Sequence, residues 1–168
     1  ARAKAEAEAV SARVRAEAWP EATNRDELHD ALVWFGFLTE AEAQAGAGWS
    51  AWLAELAGEK RAARLHLPTG TLWIAAERLP VFCALWSNPR LEPPIAAPAS
   101  HAERDWSPEE ALIEIVRGRL EGQGPVTQDA LAAPLGLDCT AIAGALAALE
   151  AEGFAMRGQF TPAAEEEW

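Results

Sequence analysis

The sequence predicts a mainly α fold with small β-hairpins, organised as two tandem winged helix-turn-helix units. Three observations predict it. Half of the 168 residues are hydrophobic and 24% are charged, a composition that can bury a core without disulfide or metal staples. Apolar residues recur at i, i+3, i+4 and i+7 through most of the chain, the spacing of one helix face. Two stretches on either side of a proline-rich segment each read as three helices followed by a glycine-containing hairpin.

Residues 1–18 are mostly Ala, Glu, Arg and Lys with Val10 and Val14 one turn apart, a helix with a thin apolar stripe. Trp19-Pro20 ends it, because the residue before a proline is pushed out of the α region. Residues 1–23 are therefore an N-terminal helix or extension. The first unit, 24–86, opens on Asn24 or Thr23 as a cap, with Asp26 and Glu27 suited to a helix N-terminus and Leu28, Ala31, Leu32 and Phe35 inward. Gly36 ends this helix, and a short acidic helix near Thr39 to Ala45 follows. Ser50 is expected to cap a third helix running to about Ala63, with Trp49, Trp52, Leu53 and Leu56 inward. Arg64 to Leu67 and Thr71 to Ala75 then read as strands joined by Pro68-Thr69-Gly70, and residues 78–86 as a short apolar helix carrying Phe82, Leu85 and Trp86.

Residues 87–105 hold Pro89, Pro93, Pro94 and Pro98 and read as a linker partly in polyproline conformation. The second unit, 106–162, opens on Ser107-Pro108-Glu109-Glu110, a capping box with proline at the first helical position. Leu112, Ile115, Val116 and Leu120 point inward from that helix. Thr127 caps a short helix with Leu131, Pro134-Leu135-Gly136-Leu137 turns, and Asp138 caps a third helix with Ile142, Ala145, Leu146 and Leu149 inward. Phe154 to Phe160, centred on Gly158, reads as the second hairpin, and 163–168 as an acidic tail. The units share an order of elements but do not align residue by residue.

The formal net charge is −12. Non-specific DNA affinity comes mainly from Lys and Arg displacing counterions along phosphates, so a general nucleic-acid coat is excluded and any DNA contact is local. Residues 1–90 carry 10 basic and 12 acidic side chains, whereas 91–168 carry 4 and 14. The presumptive recognition helix of the second unit, Thr140 to Glu152, has no Lys, Arg, Asn or Gln, the side chains that usually reach base edges, and is expected to pack against protein. Lys60, Arg61, Arg64 and His66 cluster around the first hairpin, and Arg157 lies in the second. These five are the DNA-contact candidates, set against their ordinary work at a helix C-terminus and on solvated faces.

Cys83 and Cys139 stand far apart, which reads as buried free thiols in a reducing, cytoplasmic setting. A helix N-terminus can lower the thiol pKa at Cys139, but an inert small core residue is the simpler role. His29, His66 and His101 lack metal-ligand spacing, so no metal site is expected. No apolar run is long enough for a membrane helix. Asp26, Glu27, Asp30 and Asp138 are carboxylates in ordered places, yet each has a simpler role at a helix terminus or solvated face, and none is assigned to catalysis. The eight tryptophans could stack bases. Trp49, Trp52, Trp73 and Trp86 lie on apolar faces, however, and are expected to pack.

The run from Gly118 through Thr127 (GRLEGQGPVT), then Leu131 to Leu137 (LAAPLGL), Ala145 to Phe154 (ALAALEAEGF) and Arg157-Gly158, resembles the C-terminal region of the large helicase-related (Lhr) ATP-dependent DNA helicases. Asp26 to Leu32, and Trp73-Ile74 ahead of Ala75-Ala76-Glu77, resemble the same region, so the likeness extends from about Trp19 to Trp168. It implies tandem winged helices linked to a helicase and similar in part to winged-helix DNA glycosylases. In that family a Trp-Cys motif and a basic helix follow the acidic run, and with Met156 as the only methionine the chain reads as an excised segment. The motor motifs G-x-x-x-x-G-K-[ST] and Asp-Glu-Ala-His are absent from the sequence, so ATP and Mg belong to the parent motor domains and this segment alone is not expected to be an enzyme. The expected function is a DNA-guiding or scaffolding segment in DNA repair. Its partners are the remainder of the parent chain and DNA through the local cluster, with no membrane. The alternatives are an acidic, regulator-like protein-interaction module and part of a glycosylase-like region. A glycosylase would need a pocket with a buried carboxylate or Gln.

Overall fold

A computed structural model describes residues 2–158 and 166–168. The fold is mainly helical with a small four-stranded antiparallel sheet. Helix α1 (Arg2–Ala18) lies against α7 and leaves its thin stripe in solvent, with Val10 63% and Val14 42% exposed. Asn24 opens α2 (Arg25–Phe35), its Oδ1 accepting from the Glu27 N–H at 2.9 Å. Leu28, Ala31, Leu32 and Phe35 are buried, as their spacing predicts. Gly36 closes the helix at φ 98°, a left-handed backbone that a side chain would strain.

Strand β1 (Leu38–Thr39) has no signal in the sequence beyond its neighbours. Thr39 also caps α3 (Glu40–Ala45) in a complete capping box with Glu42. Helix α4 (Trp49–Gly58) corrects two expectations: Gly48, and not Ser50, stands at its N-cap, and it ends five residues before Ala63. Alanines favour helix, but Ala62 and Ala63 are wholly buried opposite Ala75 and Ile74 in the sheet, and that pairing overrides propensity. Strands β2 (Ala62–Leu67) and β3 (Gly70–Ala75) form a hairpin around Pro68-Thr69. Strand β1 pairs with the outer side of β3. On the other side β4 (Arg90–Glu92) pairs with β2, so the segment read as a linker supplies an edge strand, where flanking prolines cost no ladder bonds.

The sheet separates two cores because its side chains alternate. Ala62, Trp73 and Ala75 face α2 and α4, packing with Leu28, Leu32, Phe35, Leu53 and Leu56. Leu65, Leu72 and Ile74 face the other way. They join α5 (Leu79–Leu85), which follows a 3-10 turn (Ala76–Arg78), and the helices α7 (Pro108–Gln123), α8 (Gln128–Leu135) and α9 (Cys139–Ala151). One core thus runs from the first hairpin into the second helical unit. The short α6 (Ala99–Ala102) has no buried residue.

Ser107 and Glu110 form the foreseen capping box, and Thr127 and Asp138 cap α8 and α9. Pro134 lies inside the last turn of α8 and not in the turn after it. The second hairpin is corrected as well. Gly158 bridges to Glu167, and Glu167 to Thr127, so the partner of Gly158 lies beyond the expected Phe154 to Phe160 hairpin. Residues 159–165, part of the expected hairpin, lie outside the described residues. Glu167 is 1% exposed and Trp168 exchanges backbone hydrogen bonds with Val126, so these two residues of the expected acidic tail are paired, while 163–165 lie outside the described residues.

Gly144 sits inside α9, and a Cβ built there meets nothing within 4 Å. Glycine in a helix interior costs about 0.5–1 kcal/mol relative to alanine. Gly144→Ala is expected to stabilise the chain by about that amount, read as a higher urea midpoint at unchanged slope.

Candidate nucleic-acid interface

The first hairpin brings Arg64 and His66 to one face of β2, two residues apart. Both are held by carboxylates. The Arg64 guanidinium lies 4.6 Å from the Trp73 ring centroid and 3.4 Å from Glu40 Oε2. His66 Nε2 is 2.9 Å from Glu92 Oε2 across the β2–β4 pair, and its Nδ1 is 3.3 Å from Thr71 Oγ1. Half-buried Arg61 donates from Nη1 to Asp26 at 3.2 Å and to Glu59 at 3.3 Å. Burial opposes its charge, but the Glu59 and Asp26 carboxylates outweigh that and leave its pKa raised.

Arg61 also reaches His29 Nδ1 at 3.2 Å, while His29 Nε2 lies 2.9 Å from Glu77. A guanidinium can only donate, so Nδ1 accepts and the ring proton on Nε2 goes to Glu77. This chain ties α2 to the 3-10 turn. Lys60 is exposed at φ 57° and has no carboxylate partner among the described residues. Arg157 lies apart from the hairpin cluster, in the second unit, donating to Glu150 at 2.8 Å and 3.1 Å, with Trp168 under its guanidinium. That pairing lowers the Glu150 pKa and raises that of Arg157. Four of the five DNA-contact candidates are therefore engaged by carboxylates of the same chain.

The remaining sequence candidates take structural positions. Glu27 accepts from the Thr23 backbone N–H at 2.7 Å and hydroxyl at 2.8 Å, which lowers its pKa. Asp138 is a cap and Asp30 is exposed. Neither cysteine is buried: Cys83 is exposed and Cys139 half-exposed, because the buried face of α5 belongs to Leu79, Val81 and Phe82. The helix N-terminus does not lower the Cys139 thiol either; its hydrogen bond to the Asp129 carboxylate, at 2.9 Å, raises it. Among the described residues no group of three or more His, Cys, Asp or Glu could hold a metal ion, and no helix is long and apolar enough to cross a membrane.

The strongest polar cluster was not singled out from the sequence. Arg119, 3% exposed on α7, donates to both oxygens of Glu42 on α3, at 3.1 Å and 2.9 Å, and to the Phe37 carbonyl at 3.0 Å. Its guanidinium lies 4.2 Å and 4.3 Å from the ring centroids of Phe35 and Phe37. Burial pulls its pKa down, and the Glu42 carboxylate opposes that. Glycines flank it. A Cβ on Gly118 would come within 2.5 Å of the Trp34 carbonyl oxygen, and one on Gly122 within 2.4 Å of the Phe35 ring. The signal was present in the sequence: two glycines four apart around one arginine on an otherwise amphipathic helix mark a close helix crossing. Arg78 adds a second tie, donating to the Val33 carbonyl and to Glu114 on α7.

A cleft of about 760 Å³ opens between the end of α1 and the α7–α8 connection, lined in part by Trp19, Glu21, Gln123, Thr127 and Glu167. The buried Gln123 Oε1 has no hydrogen-bond partner among the described residues. Comparison of the chain with protein-family models and with curated proteins finds no match.

Proposed function

We propose that the chain is a winged-helix scaffolding segment of an Lhr-type ATP-dependent DNA helicase acting in DNA repair, with DNA contact confined to one local site. The helicase link rests on the sequence resemblance. Two features support the winged-helix reading. From α2 to β3 the order is helix, strand, helix, helix, hairpin, with β1 added beside the second hairpin strand. The second unit repeats that order of pairing, since Thr127 and Gly158 flank Glu167 as β1 and β2 flank β3.

The observation that carries scaffolding over DNA binding is the engagement of Arg61, Arg64, His66 and Arg157 by carboxylates of the same chain. To grip a phosphate each would first leave its partner, and the net charge of −12 opposes the approach. Lys60, and Arg90 opposite His66 on β4, are exposed cations with no carboxylate partner among the described residues. A salt titration on duplex and forked DNA tests this. Weak binding with a log–log salt slope of about −1 to −2, about one or two phosphate contacts, is expected, flattening further when Lys60, Arg61 and Arg64 become alanine. A slope of about −5 or steeper, abolished in that variant, would make this a DNA-binding segment instead.

A second reading has one observation in its favour. The cleft with Trp19, Gln123 and buried Glu167 has the residue types that excision of a flipped base needs. Base release from oligonucleotides carrying damaged bases, lost in Gln123→Ala and Glu167→Gln, would establish it. No release from the intact chain would remove it.

A further inference from the structure

We infer that the groove between α5, α7 and α9 is a docking site for a basic amphipathic helix of a partner protein. The groove, of about 440 Å³, has Leu85, Leu112 and Ile113 in its floor and walls and Ala141 and Gly144 along the α9 side, with Glu109 on its lip. Its lining is mostly apolar. The exposed side of α9 is built from small residues, Ala141, Gly144 and Ala147, so a second helix can approach the backbone closely. Gly144 is the informative position. The fold has no need of it, because a Cβ there meets nothing and alanine would favour the helix, yet glycine leaves the groove mouth open at a cost to stability.

Charge selects the kind of partner. Residues 91–168 carry four cations, and the fold uses them: Arg117 on Glu114 and Glu152, Arg119 on Glu42, Arg157 on Glu150 and Glu166, and Arg104 stacked over Trp106. Glu109 lines the groove, and Glu110 and Asp138 stand beside lining residues at the N-termini of α7 and α9, where their carboxylates accept from the Ser107 and Thr140 N–H groups; none of the three has a cation partner among the described residues. The N-termini of α7 and α9 also point here, but each contributes only about half a positive charge against three full negative ones. The local field therefore favours cations. An amphipathic helix with an apolar stripe and flanking lysines or arginines satisfies both the floor and the lip. This deepens the scaffolding reading by naming what the scaffold holds, and its test is independent of DNA binding.

The test is fluorescence anisotropy with two labelled helical peptides of about 18 residues, identical in their leucine stripe and carrying either lysines or glutamates on the flanks. The lysine peptide is expected to bind at least about tenfold more tightly than the glutamate peptide, and to weaken with salt. Gly144→Leu, which fills the groove without changing charge, is expected to weaken it about tenfold while the helical circular dichroism is retained. Glu109→Lys is expected to weaken it about threefold. Equal binding of the two peptides, no binding of either, or full binding by Gly144→Leu overturns the proposal. So does sedimentation showing self-association that Gly144→Leu abolishes, which would assign the groove to a second copy of the chain. Failure of the peptide test leaves the scaffold reading standing, whereas a steep DNA salt slope overturns that reading and leaves the groove untouched.

Discussion

Arg119→Met is expected to destabilise the chain by about 3–5 kcal/mol, the cost of removing one partner from a buried ion pair. Methionine keeps most of the aliphatic volume between Phe35 and Phe37, so the loss reports the polar contacts and not a cavity. Glu42 would keep its bond from the Thr39 N–H at 2.9 Å, but its charge would stand half-buried without a counterion, and the Phe37 carbonyl would lose its donor. The double variant Arg119→Met with Glu42→Gln distinguishes a lost pair from a lost shape. A neutral amide can still complete the capping box on α3, so at least half of the stability is expected to return. Urea denaturation of the four proteins in the cycle measures this. A loss below about 1 kcal/mol for Arg119→Met would mean that the pair does not hold α7 to α3.

Gly118→Ala is expected to cost about 1–3 kcal/mol or more, although alanine is the better helix former by about 1 kcal/mol. The added methyl would lie 2.5 Å from the Trp34 carbonyl oxygen and 2.9 Å from that of Phe35, both backbone atoms that cannot turn aside. Helices α2 and α7 would have to separate, loosening the Arg119 contacts with Phe35 and Phe37 as well. The same substitution at Gly144 should change stability in the opposite direction. Comparing the two separates packing from propensity, because the chemical change is identical. If Gly118→Ala stabilises as Gly144→Ala does, the close crossing of α2 and α7 is wrong.

Much of the helical framework was legible because its signals are local. Asn24, Ser107, Thr127 and Asp138 each cap the helix expected of them, and the inward residues of α2, α7 and α9 follow the 3.6 period. The β2–β3 hairpin was legible from Pro68-Thr69-Gly70. Strands β1 and β4 were not, since two or three residues carry no measurable alternation and become strands only beside a partner. Ser50 and the alanines before Arg64 misled for a related reason: cap and propensity were weighed without the sheet that takes up Ala62 and Ala63.

The DNA-contact candidates show the same division. The sequence identified the candidates Lys60, Arg61, Arg64, His66 and Arg157, and the acidic excess of the chain. It could not show that Glu40 would meet Arg64, Glu92 would meet His66 or Asp26 would meet Arg61, because those pairs lie 24, 26 and 35 residues apart.

By itself, then, the sequence determined where most helices begin and which faces they bury, properties set by neighbours within about one or two turns, and that acidic residues outnumber basic ones. Only the tertiary structure decided that the hairpin sheet serves two cores and that Arg119 bridges α7 to α3. It also decided that most candidate cations are already paired. Each of these depends on distances between residues far apart in the chain, which local propensity does not encode and which packing alone settles.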